Sequence, residues 1–66
     1  MPRDAHVYKV IIFYHNGDYR TIEVNCSNSI EAVKAACSMP ATIEDVIRNK
    51  KWIVEIKVEL TIIRGH

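Results

Sequence analysis

A few residues of this chain could perform nucleophilic or acid–base chemistry. Cys26 lies just before a predicted helix, where the helix dipole stabilises a thiolate. A cysteine nucleophile also needs a base that a third group orients. The predicted strand pairing places His6 opposite Cys26, but no orienting group is identifiable. Pro2 offers a second route, since its amine could act as a base once Met1 is removed. We favour a non-enzymatic chain, and keep a small enzyme that uses Pro2 or Cys26 as a further hypothesis.

Metal ions and nucleic acids are the next ligands to consider. The separation of Cys26 and Cys37 is far from the short spacing of zinc-binding cysteines, so we expect no metal and no cofactor. The single basic cluster consists of Arg48, Lys50, Lys51 and Trp52. It could hold phosphates and stack a base, with weak and salt-sensitive affinity. Because the net charge is only +1, we favour a solvated turn with Trp52 at the core edge, and keep weak nucleic-acid binding as the alternative.

Length and composition favour one small domain over residues 1–66. The 66 residues leave no room for a second domain, and 48% hydrophobic residues argue against disorder. Residues 1–6 contain no apolar stretch typical of a signal peptide, and charges interrupt the longest apolar run. We therefore expect a cytoplasmic protein with free thiols and no membrane segment. So short a chain buries only about 60% of its unfolded surface, which makes a supporting partner favourable.

The first half of the chain predicts a β-hairpin. Its strands are Val7–Tyr14 and Tyr19–Cys26. Gly17 lies in the turn, where glycine accepts a positive φ at no steric cost. A three-residue loop over 15–17 sets Lys9 opposite Glu23, whereas a two-residue loop sets Lys9 opposite Val24. We choose the three-residue loop, because it pairs charge with charge and apolar with apolar residues.

Two helices are predicted after the hairpin. Asn28 caps the first and Glu31 completes a capping box, while Pro40 ends it. The predicted buried stripe of this helix is Ile30, Val33, Ala36 and Cys37. Thr42 is the predicted cap of the second, short helix. Its predicted core-facing residues are Ile43, Val46 and Ile47.

A strict alternation of apolar and other residues, from Trp52 to Ile63, predicts a long third strand. At ~3.3 Å per residue it would span roughly 40 Å, about twice the usual strand length. The alternation puts Trp52 and Val54 on one face and Ile53 on the other. Such a strand would overhang its neighbours, so it must bend or pair with another molecule.

The predicted fold class is α+β with the order ββα(α)β: a three-stranded antiparallel sheet in the order 2-1-3, with helices on one face. The outer face, opposite the helices, would carry several apolar residues where polar groups are usual. Such a patch is typical of a binding surface. The predicted partner or dimer interface consists of Ile11, Phe13, Tyr19, Ile53, Lys57, Thr61 and Ile63.

Residues 8–37 resemble the first half of a ubiquitin-like β-grasp domain. The stretch YKVIIFYHNGDYRTIEVNCSNSIEAVKAAC follows its order of strand, glycine turn, strand, polar cap and helix. The resemblance implies a β-grasp-like layout and a protein-binding role. The tail ends in Gly65-His66 and lacks the diglycine that conjugation and sulfur-carrier chemistry require, so neither activity is carried over.

These patterns favour a non-enzymatic protein-interaction module. We expect it to self-associate as a homodimer, through the third strand or through the outer face of the sheet. It would then act as an adaptor or inhibitor by covering a surface of another protein. Compact inhibitors of this size occur in phages, and size alone suggests that comparison.

Overall fold

The computed structural model describes residues 6–63, with Ile62 and Ile63 described by their backbone alone. Its elements in chain order are β1 (His6–Tyr14), β2 (Tyr19–Cys26), α1 (Ser29–Cys37), α2 (Pro40–Ile47) and β3 (Ile53–Ile63). The three strands form one antiparallel sheet in the order β2-β1-β3, and the helices pack on one of its faces. The predicted α+β fold and strand order are therefore confirmed.

The hairpin has the predicted three-residue loop. Lys9 lies opposite Glu23, so the chosen register is confirmed. Gly17 has a φ of +92°, and its amide donates to the carbonyl of Tyr14 at 3.2 Å. The side-chain oxygen of Asn16 accepts from the backbone amide of Asp18 at 3.0 Å. These local bonds hold the loop and thereby the pairing of every residue along both strands.

Helix α1 begins at the predicted cap and buries part of the predicted stripe: Ala36 is buried as predicted, and Val33 and Cys37 are half-buried. The Asn28 side chain accepts from the amide of Glu31 at 2.9 Å, as predicted. The buried residues of α1 are Ala32 and Ala36, whereas Ile30 is 69% exposed and its predicted core position is wrong. Two alanines on the buried face leave room for the larger side chains of the sheet. The resulting core consists of Val10, Ile12, Tyr14, Ile22, Ala32 and Ala36.

Helix α2 starts earlier than predicted. Pro40 does not merely end α1; it occupies the first turn of α2, where its missing amide hydrogen is not needed. The N-cap is Met39, and Thr42 lies buried inside the helix. The prediction of Thr42 as the cap is therefore wrong.

The buried face of α2 is polar. Thr42 and Asp45 are 1% and 4% exposed, whereas Ile43 and Ile47 are 44% and 72% exposed. The predicted core positions of Ile43 and Ile47 are therefore wrong, although Val46 does pack against the core. The reason is that Asp45 accepts hydrogen bonds from Tyr14 and Arg20 of the hairpin. These bonds require the face of α2 that carries Asp45 to point toward the sheet.

Strand β3 pairs along the whole of β1. The nine residues of β1 accommodate the eleven of β3 because the register shifts at two points, between Phe13 and Tyr14 and between Val7 and Tyr8. Val54 and Thr61 are left as the inserted residues of two β-bulges. The predicted overhang is therefore wrong: the strand bends, and its length is not by itself an argument for association.

Candidate protein-binding surface

The outer face of the sheet carries an aromatic pair at the hairpin end. Phe13 and Tyr19 are cross-strand neighbours with ring centroids 6.4 Å apart. The Lys57 ammonium lies 5.8 Å from the Phe13 centroid, and Ile11 lies opposite Lys57. Tyr19 is 67% exposed, whereas Ile11 and Phe13 are half-buried. We call Ile11, Phe13, Tyr19 and Lys57 the aromatic patch.

A row of charges borders the aromatic patch. Lys9, on the central strand, lies between Glu23 of β2 and Glu59 of β3. Opposite charges directly across a sheet attract one another, so Lys9 lies favourably between the two glutamates. It separates the aromatic patch from Val7, which is buried at the far end of β1. The apolar part of the outer face is therefore compact and lies near the hairpin loop.

The Val54 bulge removes one predicted residue from this surface. Because of the shift, Ile53 lies opposite Tyr14, whose side chain is in the core beneath the helices. Ile53 packs against that core. Its predicted outward position is therefore wrong, and Val54 is 64% exposed instead of facing inward.

The last two residues of the predicted interface, Thr61 and Ile63, lie at or near the second bulge. Thr61 is exposed, and its hydroxyl donates to the carbonyl of Val7 at 2.8 Å, so it ties β3 to β1. The backbone of Ile63 pairs with His6. The side chain of Ile63 lies outside the described residues.

The backbone bonds of β1 show which residues of β3 face the open edge. The amide of Tyr14 donates to the carbonyl of Asp18 at 2.9 Å, so the backbone groups of Tyr14 point toward β2. In an antiparallel sheet these directions alternate along a strand, so Phe13, Ile11 and Lys9 point toward β3. The amide of His15, which bonds to the Trp52 carbonyl at 2.9 Å, fits this alternation.

It follows that the backbone groups of alternate residues of β3 point away from β1 and meet no other strand among residues 6–63. Glu55, Lys57 and Glu59 lie opposite the β1 residues that point toward β3, so their backbone groups bond to β1. Ile56, Val58 and Leu60 direct their amides and carbonyls to the other side, where the described chain provides no further strand. We call the backbone of Ile56, Val58 and Leu60 the open edge.

The predicted basic cluster is partly neutralised. The guanidinium of Arg48 lies 3.3 Å from the Glu44 carboxylate. The ammonium of Lys51 lies 3.1 Å from the Asp18 carboxylate and 5.7 Å from the Tyr14 ring centroid, and its side chain is only 26% exposed. Two cations of the cluster thus have internal partners, which reduces their attraction for phosphate.

The other two residues of the cluster face water. Lys50 is exposed, and its backbone lies in the left-handed region with a φ of 54°, as is common in turns. Trp52 is 55% exposed, so its expected place at the core edge is wrong; its amide donates to Nδ1 of His15 at 3.1 Å. Nucleic-acid binding through this cluster stays a prediction.

A buried polar cluster joins α2 to the hairpin, and sequence reasoning missed it. The same carboxylate oxygen of Asp45 accepts from the Tyr14 hydroxyl at 2.9 Å and from Nε of Arg20 at 2.7 Å. The hydrogen bond from Arg20 lowers the pKa of Asp45 from 3.8 to about 2, although burial acts in the opposite direction. Burial, and then the bond to Asp45, raises the pKa of Tyr14 above 10.0.

A sequence signal for this cluster did exist. Strand alternation places Arg20 on the same face as Ile22, beneath the helices, where a guanidinium needs an acceptor. Asp45 is the acidic residue that meets this need. Because Asp45 is buried, its carboxylate is not accessible to a ligand. Its hydrogen bonds to Tyr14 and Arg20 connect α2 to the hairpin and have a structural role.

The exposed side of α2 is a second apolar surface. Its shallow groove is lined by Pro40, Ile43, Glu44, Ile47 and Arg48. Ile43 and Ile47 lie one helical turn apart, so they form a short stripe along the groove. Nothing among residues 6–63 covers this stripe.

The catalytic hypotheses gain no support from the described residues. His6 does lie opposite Cys26 as predicted, and Cys26 is a free, half-buried thiol. The His6 ring packs edge-on against Tyr8, and its Nδ1 has no hydrogen-bond partner within residues 6–63. A third group that would orient His6 as a base is therefore absent from the described part, while Pro2 lies outside it.

Two further features concern ions and membranes. Within residues 6–63 no cluster of three or more His, Cys, Asp or Glu side chains is arranged to hold a metal ion. Neither helix of this part of the chain has the length and apolarity to cross a membrane.

Comparisons of the chain with protein-family models, with curated proteins and with solved structures found no match. The resemblance of residues 8–37 to a β-grasp domain therefore stays a prediction.

Proposed function

We propose that this chain is a non-enzymatic protein-interaction module that self-associates and acts as an adaptor or inhibitor by covering a surface of a partner protein. The observation that carries the proposal is Tyr19, which is 67% exposed beside Phe13 on a sheet face that no described helix covers.

The composition of the aromatic patch suits a protein partner. Tyrosine and phenylalanine dominate the buried centres of protein interfaces, because they remove much apolar area from water at a small cost in side-chain entropy. The charged row of Lys9, Glu23 and Glu59 beside the patch would form a polar rim. A centre and a rim of this kind are what a specific docking surface requires.

The open edge adds a second means of contact. Unpaired strand amides and carbonyls can bond to an extended segment of another chain, which supplies affinity, while side chains beside them supply specificity. The aromatic patch and the open edge meet at Lys57, which belongs to the patch and lies between edge residues of β3. One partner could therefore contact both.

Partner capture with matched variants tests the proposal. The tagged chain is used to capture proteins from a lysate of its own host, and the yield is compared with that of Tyr19→Ser. We expect the captured partner to fall about tenfold or more, as for loss of an interface aromatic. The control is Ile30→Ser, because Ile30 is 69% exposed on α1 and lies away from the outer face.

The two variants remove apolar side chains of similar exposure, so we expect similar changes in their free energies of unfolding. Thermal unfolding of both variants measures these changes. Equal capture by the wild type and Tyr19→Ser would contradict a role for the aromatic patch, and equal losses in both variants would show that the contact is not specific to it.

A further inference from the structure

We propose that β3 pairs with β3 of a second copy, antiparallel, across a twofold axis at Val58, so that two sheets become one six-stranded sheet. The pairing rests on the proposed function, since it names the partner of the open edge. Three features of β3 determine it: the direction of its backbone groups, the order of its charges and the positions of its bulges.

Backbone direction limits the possible registers. Between the two bulges, only Ile56, Val58 and Leu60 direct amides and carbonyls outward, so each must face one of these same residues in the second copy. A register that sets Val58 opposite Lys57 of the second copy forms no ladder, because the backbone of Lys57 is bonded to β1. The sheets must therefore join with both sets of helices on the same face.

Charge order selects among the registers that remain. With the axis at Val58, Lys57 lies opposite Glu59 of the second copy, and the reverse contact is identical by symmetry. With the axis at Lys57, this lysine would face itself and Glu55 would face Glu59. With the axis at Glu59, that carboxylate would face itself. Directly opposite like charges destabilise a sheet, so only the Val58 register is favourable among these three.

The bulges exclude one more register. An axis at Ile56 would place Glu55 opposite Lys57 of the second copy, but it would also bring Val54 into the ladder. Val54 is the inserted residue of a bulge, where pairing is interrupted. The Val58 register keeps its bonded residues, from Ile56 to Leu60, between the two bulges.

The same register buries apolar surface on the helix face. Leu60, which is 47% exposed, would lie beside Ile56 of the second copy. Val58 would lie beside its own symmetry mate. Apolar residues thus meet apolar residues on one face and opposite charges meet on the other, as in a stable antiparallel pair.

Complementary charge reversal tests the pairing. Lys57→Glu sets two carboxylates opposite each other, and Glu59→Lys sets two ammonium groups opposite each other. Each variant alone should self-associate about tenfold more weakly, because two attractive contacts become repulsive. An equal mixture of the two variants should restore association, because each carboxylate then faces an ammonium group. Sedimentation equilibrium at low salt measures all three samples.

Glu55→Lys is the matched control. It reverses a charge on the same face of the same strand, but in the Val58 register Glu55 lies opposite Thr61 of the second copy. Its association should equal that of the wild type. Loss of association in this variant would indicate the Ile56 register and overturn the proposal.

Disulfide trapping gives a readout that does not depend on charge. In a Cys26→Ser/Cys37→Ser background, Lys57→Cys and Glu59→Cys are prepared separately and then mixed under oxidising conditions. Opposite residues whose backbones point away from each other have Cα atoms ~4.5 Å apart, within disulfide reach. We expect a covalent dimer in the mixture and little in either variant alone. A dimer from Lys57→Cys alone would overturn the Val58 register.

The outcomes separate this inference from the proposed function. A wild-type chain that stays monomeric, yet loses its captured partner in Tyr19→Ser, overturns the β3 pairing and leaves partner binding standing. A chain that dimerises as described, with capture unchanged in Tyr19→Ser, upholds the pairing and overturns the role of the aromatic patch.

Discussion

Asp45 is the residue that ties α2 to the hairpin. Its side chain is 6% exposed, and it accepts hydrogen bonds from Tyr14 and Arg20, which are far away in sequence. A carboxylate can be buried in this way only if donors compensate for its lost hydration. The low pKa of Asp45, about 2, shows that the hydrogen bond from Arg20 outweighs the effect of burial.

This low pKa predicts a loss of stability in acid. Because the folded state holds the Asp45 proton less tightly than the unfolded state, the contribution is complete above the unfolded value of 3.8 and is lost as the pH falls toward about 2. The linked free energy is on the order of 2 kcal/mol. Urea unfolding at pH values between about 2 and 5 measures it.

Asp45→Asn should remove this part of the acid dependence. We expect it to lower the free energy of unfolding at neutral pH by about 2–3 kcal/mol, less than for a fully buried pair because Arg20 is 38% exposed. The control is Glu44→Gln, whose exposed pair with Arg48 should contribute less than about 1 kcal/mol. Parallel acid profiles for Asp45→Asn and the wild type would contradict the assignment.

At the scale of elements, α1 depends on its cap. The Asn28 side chain bonds to the amide of Glu31, one of the donors that the helix itself leaves unsatisfied. We expect Asn28→Ala to lower the free energy of unfolding by about 1 kcal/mol. Ser29→Ala is the control, since Ser29 is exposed at the first helical position and is not the cap.

Urea unfolding of both variants measures the difference. An effect of Ser29→Ala as large as that of Asn28→Ala would show that the cap bond is not the cause. The same cap sets where α1 starts, whereas packing against the sheet decides which of its residues are buried.

Strand β3 shows how bulges alter a regular pattern. The alternation from Trp52 to Ile63 is continuous in the sequence, yet the inserted residues Val54 and Thr61 change which side chains share a face. The gain is that β3 follows the shorter β1 along its full length. The disadvantage is that the inserted residue Val54 leaves its apolar side chain 64% exposed to water.

At the scale of the whole molecule, apolar area that the fold leaves uncovered is prominent. Among the side chains that the structure describes, the exposed large apolar residues are Tyr19, Ile30, Met39, Ile43, Ile47, Trp52, Val54 and Leu60. A domain of 66 residues has a small core, so covering even part of this area contributes appreciably to its stability.

The proposed self-association should therefore stabilise the fold itself. We expect the Tm of the wild type to rise by about 3–5 °C for each tenfold increase in protein concentration, in the range where the dimer predominates. In Lys57→Glu, the same rise in Tm should begin only at protein concentrations about tenfold higher. Differential scanning calorimetry of the two chains makes the comparison, and a concentration-independent wild-type Tm would contradict a folding-linked dimer.

Local chemistry was enough to predict the order of elements, the hairpin register and the cap of α1. Gly17 and the pairing of Lys9 with Glu23 select one loop length, and Asn28 marks a helix start, because each of these signals acts between residues that are adjacent or joined by a short turn. These features depend little on the rest of the molecule.

Only the tertiary structure decided which way α2 faces and where β3 bulges. Helical spacing allows either Ile43 and Ile47 or Thr42 and Asp45 to face the sheet, and the distant partners of Asp45 on the hairpin select the second pair. Likewise, the bulges arise because eleven residues of β3 must match nine of β1. Both are properties of contacts between segments far apart in the chain, which a local pattern does not contain.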